Sequence, residues 1–416
     1  MIADPAFFAD WSALLHRDYL RCTYHLRPDG DAREAAASLC AESSTAMWKR
    51  TDVTEDLRAR HGAKVLAVYP LPDAPGLYHV EIAHPHRNFG PRLPNLLSAI
   101  VGEGVFYAPG VRSVKLMDID FPPDFLGAFP GPRFGIAGLR EQLGIVDRPL
   151  FIGIVKPNLG LAPEDFAALG EAMWDGGVDI CKDDEMQADA EWSPLLRRVQ
   201  LMTAARRRAE TRTGERKGFL ANITDEVDRM PRLARSAEAA GANLLMCNTI
   251  WTGFSAVRVL RETVTVPLMG HFTGAAILSR RPDFGIASAL ICKLSRLVGC
   301  DLIVFAGAAA RMQTSDREVR ENVRACLDPL GNMPAALPMP GGSNWAATLQ
   351  TVYEQVGHPN FGFIVGRGVA AHPMGPKAGA MSLRQAWEAI RNGESPAEAA
   401  ARHPELAAAL RAFGTQ

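Results

Sequence analysis

Residues 149–184 read PLFIGIVKPNLGLAPEDFAALGEAMWDGGVDICKDD. An apolar run, a helical stretch from Pro163 to Trp174, and a second apolar run make one strand–helix–strand unit. Both runs are almost continuously apolar, as parallel strands buried on both faces require. The pattern recurs to the end of the chain, in GFLANIT (218–224), ANLLMCN (242–248), VPLMGHF (266–272), CDLIVFAG (300–307), AALPMPGG (335–342) and FGFIVGRG (361–368). With the first two, that is eight runs. Mixed-charge helical stretches such as Asp225 to Ala240 lie between them. Eight such units over about 260 residues fit a TIM (β/α)8 barrel, whose usual size is about 250. An open doubly wound sheet would need a G-x-G-x-x-G turn after its first strand, and none occurs there.

Upstream the texture changes. Leu20–Leu26 reads as a strand, Asp31–Cys40 as a helix, Ala63–Pro70 as a strand and Gly76–Ala83 as its partner. Pro94–Gly102 reads as a helix with proline in its first turn. This is an α+β pattern. The stretch FPPDFLGAFPGPRFG (121–135) has the composition of a connector. The division expected is therefore an N-terminal α+β domain over 1–135 and a barrel over 136–416. The Ala-rich stretch from Ser395 on reads as helical and is expected to pack outside the barrel.

The chain has 416 residues, 47% hydrophobic and 22% charged, the composition of an ordinary globular protein. Lys and Arg number 45 against 46 Asp and Glu, so no global field draws nucleic acid or an anionic membrane. Arg206-Arg207-Arg208 reads as a solvated helix face. No apolar run approaches the roughly 18–20 residues of a membrane span. The opening MIADPAFFADWSALLHRDY lacks a basic segment and an apolar core, so no signal peptide is expected. The seven cysteines form no C-x-x-C pair and are expected to be buried thiols in a cytoplasmic protein.

Active-site residues of a TIM barrel sit at the carboxyl ends of its strands. That rule selects Lys156, the run Lys182-Asp183-Asp184-Glu185, Asn222, Asn248, His271, Gly341-Gly342 and Gly366-Arg367-Gly368. Strand alternation turns Lys182 and Asp184 to the same side. Asp184 and Glu185 suit a hard cation such as Mg2+. Lys182 beside them is either an ion-pair partner or, carbamylated by CO2, a third oxygen ligand. The glycines after the last two strands serve tight turns or admit a phosphate to backbone N–H groups, with Arg367 as a further donor. His271 is either a core histidine or a proton shuttle. Lys156 is either an ion-paired rim residue or a base.

In these residues the sequence resembles the RuBisCO large-chain family, and more closely its form IV RuBisCO-like proteins. The matching motifs are AESSTAMW (41–48), GIVKPNLGLAP (153–163), GGVDICKDDE (176–185), GHFTGA (270–275), MPGG (339–342) and VGRGVAAHPMGPKAGA (365–380). They occur in family order over most of the chain. The resemblance implies a ferredoxin-like N-terminal domain before the barrel. It implies Mg2+ held by carbamylated Lys182, Asp184 and Glu185. Lys156 would form and protonate an enediolate, and His271 would contact substrate hydroxyls. Glu42 would enter the neighbouring subunit's site, which implies a homodimer with shared sites. Gly342, Gly366 and Gly368 would hold phosphate.

The departures are as informative. The second lysine of the strand 1 motif is Asn158, the arginine after the strand 5 histidine is Phe272, and the strand 6 histidine is Val304. No lysine lies between Ala306 and Arg324. Met47 replaces a threonine. Glu103 stands where the family has an asparagine, and is a candidate base. Without the cation over CO2 no carboxylation is expected, and without the second phosphate site no bisphosphate. The expected function is Mg2+-dependent enolisation, isomerisation or β-keto acid decarboxylation of a monophosphorylated keto-sugar or keto-sugar acid. The alternatives are an idle metal-binding homologue with a regulatory or sulfur-metabolism role, and a class II-like aldolase.

Overall fold

The computed structural model describes residues 4–46 and 56–414. Two of the residues read above, Met47 and Trp48, lie outside them. Two compact units divide the chain. One comprises Met1–Phe129 with Gly274–Leu294, the other Pro130–Thr273 with Ser295–Gln416.

The first unit is built on a five-stranded sheet. Its strands are β1 (Tyr19–Pro28), β2 (Lys64–Pro70), β3 (Tyr78–Pro85), β4 (Val111–Asp120) and the short β10 (Gly285–Ile286), in the order β10-β4-β1-β3-β2. On β1 every second residue from Leu20 to Leu26 is buried, which gives the strand one core face. The helix Ala32–Glu42 is capped by Asp31, whose carboxylate accepts from the Arg33 and Glu34 amides. The helix Leu93–Ile100 is tied to β1 by Tyr24, whose hydroxyl donates to the Ile100 carbonyl at 3.1 Å. Sequence reading had no strand at β4, because VRSVKLMDID carries polar residues on both faces. Lys115 of β4 shows why: its buried ammonium donates to the carbonyls of Ser279 (2.6 Å) and Arg281 (2.7 Å). Those bonds join Gly274–Leu294 to this unit. The stretch around Phe121 is packed rather than loose, with Phe121 on Phe125 (5.2 Å) and Phe125 on Phe129 (5.4 Å).

The second unit holds all eight expected barrel strands. They are β5 (Leu150–Ile154), β6 (Ile180–Lys182), β7 (Gly218–Asn222), β8 (Leu244–Asn248), β9 (Leu268–His271), β11 (Leu302–Ala306), β12 (Leu337–Gly341) and β13 (Gly362–Val365). They run parallel in the order β12-β11-β9-β8-β7-β6-β5-β13, and β12 lies against β13, so the sheet curls into a near-closed barrel. Its interior is filled by alternate residues: Leu150, Ile152, Ile180, Leu220, Leu244, Met246, Met269, Leu302, Val304, Leu337, Met339 and Ile364. Leu139 and Leu143 of the helix Gly135–Leu143 join the same cluster.

Several helices differ from expectation in detail. The one read from Asp225 begins at Met230, where Pro231 sets the first turn. In the helix Leu195–Thr213, Arg207 and Arg208 are exposed and Arg208 pairs with Glu171, but Arg206 is half-buried against the carbonyls of Lys217 and Gly241. The C-terminal stretch forms the helices Pro396–Ala400 and Pro404–Phe413. All seven cysteines are free and buried. Among the described residues no helix is long and apolar enough to cross a membrane.

At the amino end of β6, Asp179 is wholly buried. It accepts both Arg148 amines (2.6 and 2.7 Å), Arg384 (3.1 Å) and the Phe151 amide (2.7 Å). Burial pushes its pKa up, but the two arginines and Lys217 outweigh burial and hold it below the ordinary 3.8. Asp179 therefore contributes stability above that value and loses it on further acidification. Asp179→Ala strips both arginines of this carboxylate and is expected to cost about 3–5 kcal/mol, read from the urea midpoint at neutral pH. The deficit should shrink below pH 4.

Candidate functional site

The parity that fills the barrel core also builds its mouth. Continuing the inward series in steps of two residues brings Lys156 after Ile154, Lys182 and then Asp184 after Ile180, Asn222 after Leu220, His271 after Met269 and Gly366 after Ile364. These residues inherit their direction from the hydrophobic ones below them.

Lys182 is wholly buried. Its ammonium donates to the Asp183 carbonyl (2.7 Å) and to Glu185 (3.2 Å). Lys156, one quarter exposed, donates to Asp184 (2.5 Å) and to Asn158 (3.1 Å). His271 Nε2 lies 3.5 Å from Glu185, and its Nδ1 faces the Thr273 hydroxyl at 2.7 Å. Lys156, Lys182, Asp184, Glu185 and His271 thus form one connected cluster. Each lysine is paired with an acid, Lys156 with Asp184 and Lys182 with Glu185.

The electrostatics follow from burial. Desolvation pushes the Lys182 pKa below 10.5 against the pull of Glu185 and Asp184. Burial works to raise Glu185, but Lys182 and His271 overcome it and hold the carboxyl at about 2. His271 is pushed down to about 3 by burial and by Lys182. It is a neutral imidazole at physiological pH.

The remaining expected residues divide. Asn222 is wholly buried, and its amide donates to the carbonyls of Asp184 (3.1 Å) and Glu185 (3.2 Å). Gly341 ends β12, and Gly342 follows with φ +107°, the left-handed region that favours glycine. Met312, from the loop after β11, packs on Gly342 so closely that a Cβ there would lie 2.4 Å from its sulfur. Gly366 and Gly368 flank Arg367, whose guanidinium lies 5.9 Å from the Phe413 ring. A Cβ on Gly366 would come within 3.2 Å of Lys156 Cε, and one on Gly368 within 2.6 Å of Trp345. Neighbouring groups come so close to Gly342, Gly366 and Gly368 that a side chain at any of them would force a shift. Val304 belongs to the barrel core, and Phe272 packs against that core and stacks on His271 at 5.2 Å.

Glu42 and Glu103 belong to the first unit. They line one cavity of about 890 Å³ there with Ser43, Ser44 and Arg87, and Tyr107 donates its hydroxyl to Glu103 at 2.9 Å.

Sequence reasoning missed the buried pair behind the site. Asp183 accepts from Arg198 Nε (2.8 Å) and Nη2 (3.0 Å), and neither side chain is exposed. An acid in an otherwise apolar strand, followed fifteen residues later by an arginine among helical apolar positions, was the available signal.

The family model for the ribulose bisphosphate carboxylase large chain, catalytic domain, matches residues 135–413, and that for its N-terminal domain matches 9–125. The chain belongs to the RuBisCO large-chain family. A ribulose bisphosphate carboxylase-like protein of Allochromatium vinosum is 52% identical over 98% of this chain and 93% of its own. The 3-oxo-isoapionate-4-phosphate decarboxylase of Rhizobium etli is 32% identical over 94% of this chain and 98% of its own. Among solved structures, the dimeric archaeal Rubisco of Hyperthermus butylicus has 32% identity and a TM-score of 0.88, covering 98% of this chain and 99% of that one. RuBisCO relatives thus span carboxylases and a decarboxylase on one fold.

Because the His271 pKa lies below the ordinary 6.5, the unfolded chain takes up a proton there between pH 6.5 and 3 while the folded chain does not. This residue therefore lowers stability as pH falls through that window. Ring-nitrogen NMR, assigned with His271→Gln, is expected to show a neutral imidazole at pH 5. A midpoint near 6.5 would refute the burial argument.

Proposed function

We propose that the protein is a cytoplasmic, non-carboxylating RuBisCO-like enzyme that forms an enolate on a monophosphorylated keto-sugar or keto-sugar acid. The observation that carries this reading is the cluster of Lys156 and Lys182 with Asp184 and Glu185 at the barrel mouth. Among the described residues no three His, Cys, Asp or Glu side chains gather as a ready metal cage. The donor set fits a divalent cation once Lys182 becomes an acid group. Its buried amine is suited to that change, since desolvation favours the neutral form that adds to CO2 with loss of a proton. Carbamylated Lys182, Asp184 and Glu185 would then hold Mg2+, which supplies a Lewis acid for the substrate carbonyl.

The chain's own groups do the rest. Lys156 carries a proton to or from the carbon beside the carbonyl. In a β-keto acid, cleavage of the carbon–carbon bond releases CO2 and leaves its electron pair as the same enolate, which Lys156 protonates. The decarboxylase relative favours that arm. Neutral His271 donates a hydrogen bond to a substrate oxygen without adding charge. The amides at Gly341, Gly342, Gly366 and Gly368 hold one phosphate, with Arg367 as its outer cation. Phe272 and Val304 put apolar side chains where a second phosphate would need a cation. In a homodimer with shared sites, Glu42 and Glu103 serve the neighbouring subunit's site, Glu103 as a base. Neither nucleic acid nor membrane is a partner in this reading.

The same paired charges would also serve a homologue that binds a metal and does nothing further. Solvent deuterium exchange and CO2 release separate the two, measured over a panel of monophosphorylated keto-sugars and keto-sugar acids. We expect exchange or CO2 release with at least one member and a loss of about 100-fold or more in Lys156→Met. No exchange and no CO2 with any member sinks the enzyme reading.

Met312 packs against the Cβ side of Gly342, and we expect it to crowd a phosphate held at that loop. Met312→Ala is expected to tighten inorganic phosphate binding by roughly five-fold, about 1 kcal/mol, by calorimetry. Unchanged affinity would place the phosphate elsewhere.

A further inference from the structure

We propose that Asn222 is a positioning residue that presets Asp184 and Glu185 for the cation, a role that rests on the cation site proposed above. The last backbone bond between this part of β6 and β7 runs from the Asp183 amide to the Leu220 carbonyl. Beyond it the chain turns away, and the carbonyls of Asp184 and Glu185 lose their place in the ladder. The Asp184 carbonyl still accepts from the Gln187 amide at 3.1 Å, and Asn222 adds a side-chain bond to each of the two carbonyls. Its Nδ2 donates to both carbonyls, at 3.1 and 3.2 Å.

The amide is itself held on every side. Its Oδ1 accepts from the Thr224 amide (3.1 Å) and hydroxyl (2.7 Å), and its backbone N–H donates to Asp183 Oδ2 (2.8 Å). Thr224 Oγ1 in turn accepts from the Asn248 amide at 3.0 Å, which ties the arrangement to β8. From the other side Arg198 clamps Asp183 and donates to the carbonyls of Ser193 and Ala188, both at 2.7 Å. The turn that bears both acids is thus gripped between two buried side chains.

Only an amide does this. It presents two donors and an acceptor in one plane, whereas ionised aspartate has no donor and leucine has no polar atom. Two adjacent carboxylates repel, and left free they would spread apart. Fixing their backbone beforehand means that a cation need not pay to gather them. Supporting groups of this kind commonly change metal affinity by 10–100-fold when removed.

The test uses Mn2+ as probe, with the full-length protein in bicarbonate buffer, and reads free Mn2+ by electron paramagnetic resonance. Wild type is expected to bind one ion per chain and Lys182→Ala to lose it. Asn222→Ala should weaken binding about ten-fold or more, and the isosteric Thr224→Val several-fold, in protein whose circular dichroism matches wild type. A purely structural role would lower the melting temperature and leave the affinity of the folded protein unchanged. Affinities within about two-fold of wild type in both variants would overturn the proposal. If Asn222→Ala does not fold, Thr224→Val decides alone. Wild type that binds no Mn2+ would refute the cation site itself and this role with it, an outcome distinct from binding that the variants leave intact.

Discussion

A primary amine wholly out of water is the constraint around which the mouth of this barrel is arranged. Lys182 has no exposed surface. An isolated ammonium in such a place would carry a desolvation penalty of several kcal/mol even after relaxation. Three things lower it: the Glu185 carboxylate, the Asp183 carbonyl and a pKa displaced toward the neutral amine. The lysine cannot be repacked without disturbing the acids, and the acids cannot move without stranding the lysine. His271 completes the balance by staying neutral beside them.

The barrel makes that arrangement inexpensive. Each strand already has an inward face, fixed by residues such as Ile180, Leu220 and Met269. A one-residue slip in register would move this set to the helix-covered face and turn residues such as Phe151 and Phe219 into the barrel, where the present packing does not fit them. The hydrophobic effect therefore enforces the direction of Lys182, Asn222 and His271 through their strands, with no contribution from the polar groups themselves. Charged bonds act at the other end of the barrel too, where Asp179 and Asp301 fasten the strand starts. Asp301 accepts from Arg261 (2.9 Å) and from the amides of Phe134 (2.6 Å) and Leu268 (2.9 Å).

This division explains what could be read in the sequence. The eight barrel strands were legible because a parallel strand buried on both faces is an apolar run with few imitators. The rim residues were legible because position at a strand end is a sequence property once the strands are known. Strand β4 was not, since Val111–Asp120 owes its place to pairing with β1 and to Lys115, whose partners lie about 165 residues later. The role of Asn222 was hidden because its partners are backbone carbonyls, which every residue possesses. The contact of Met312 with Gly342 was hidden because it depends on the path of a loop, and no residue type announces where a thioether will land.

The charges at the mouth also argue for what the site takes up. Lys156 and Lys182 balance Asp184 and Glu185, and His271 adds nothing, so the cluster as it stands is neutral. Adding CO2 to Lys182 replaces one positive charge by one negative charge and leaves an excess of two negative charges in a poorly solvated place. Such an excess is held only if a compensating charge arrives with it. A single divalent cation restores neutrality, and oxygen donors select a hard one. A monovalent ion would leave one charge unmatched. On the cation site proposed above, carbamylation and metal uptake would be coupled, and Lys156 would leave Asp184 for substrate once the cation took its place.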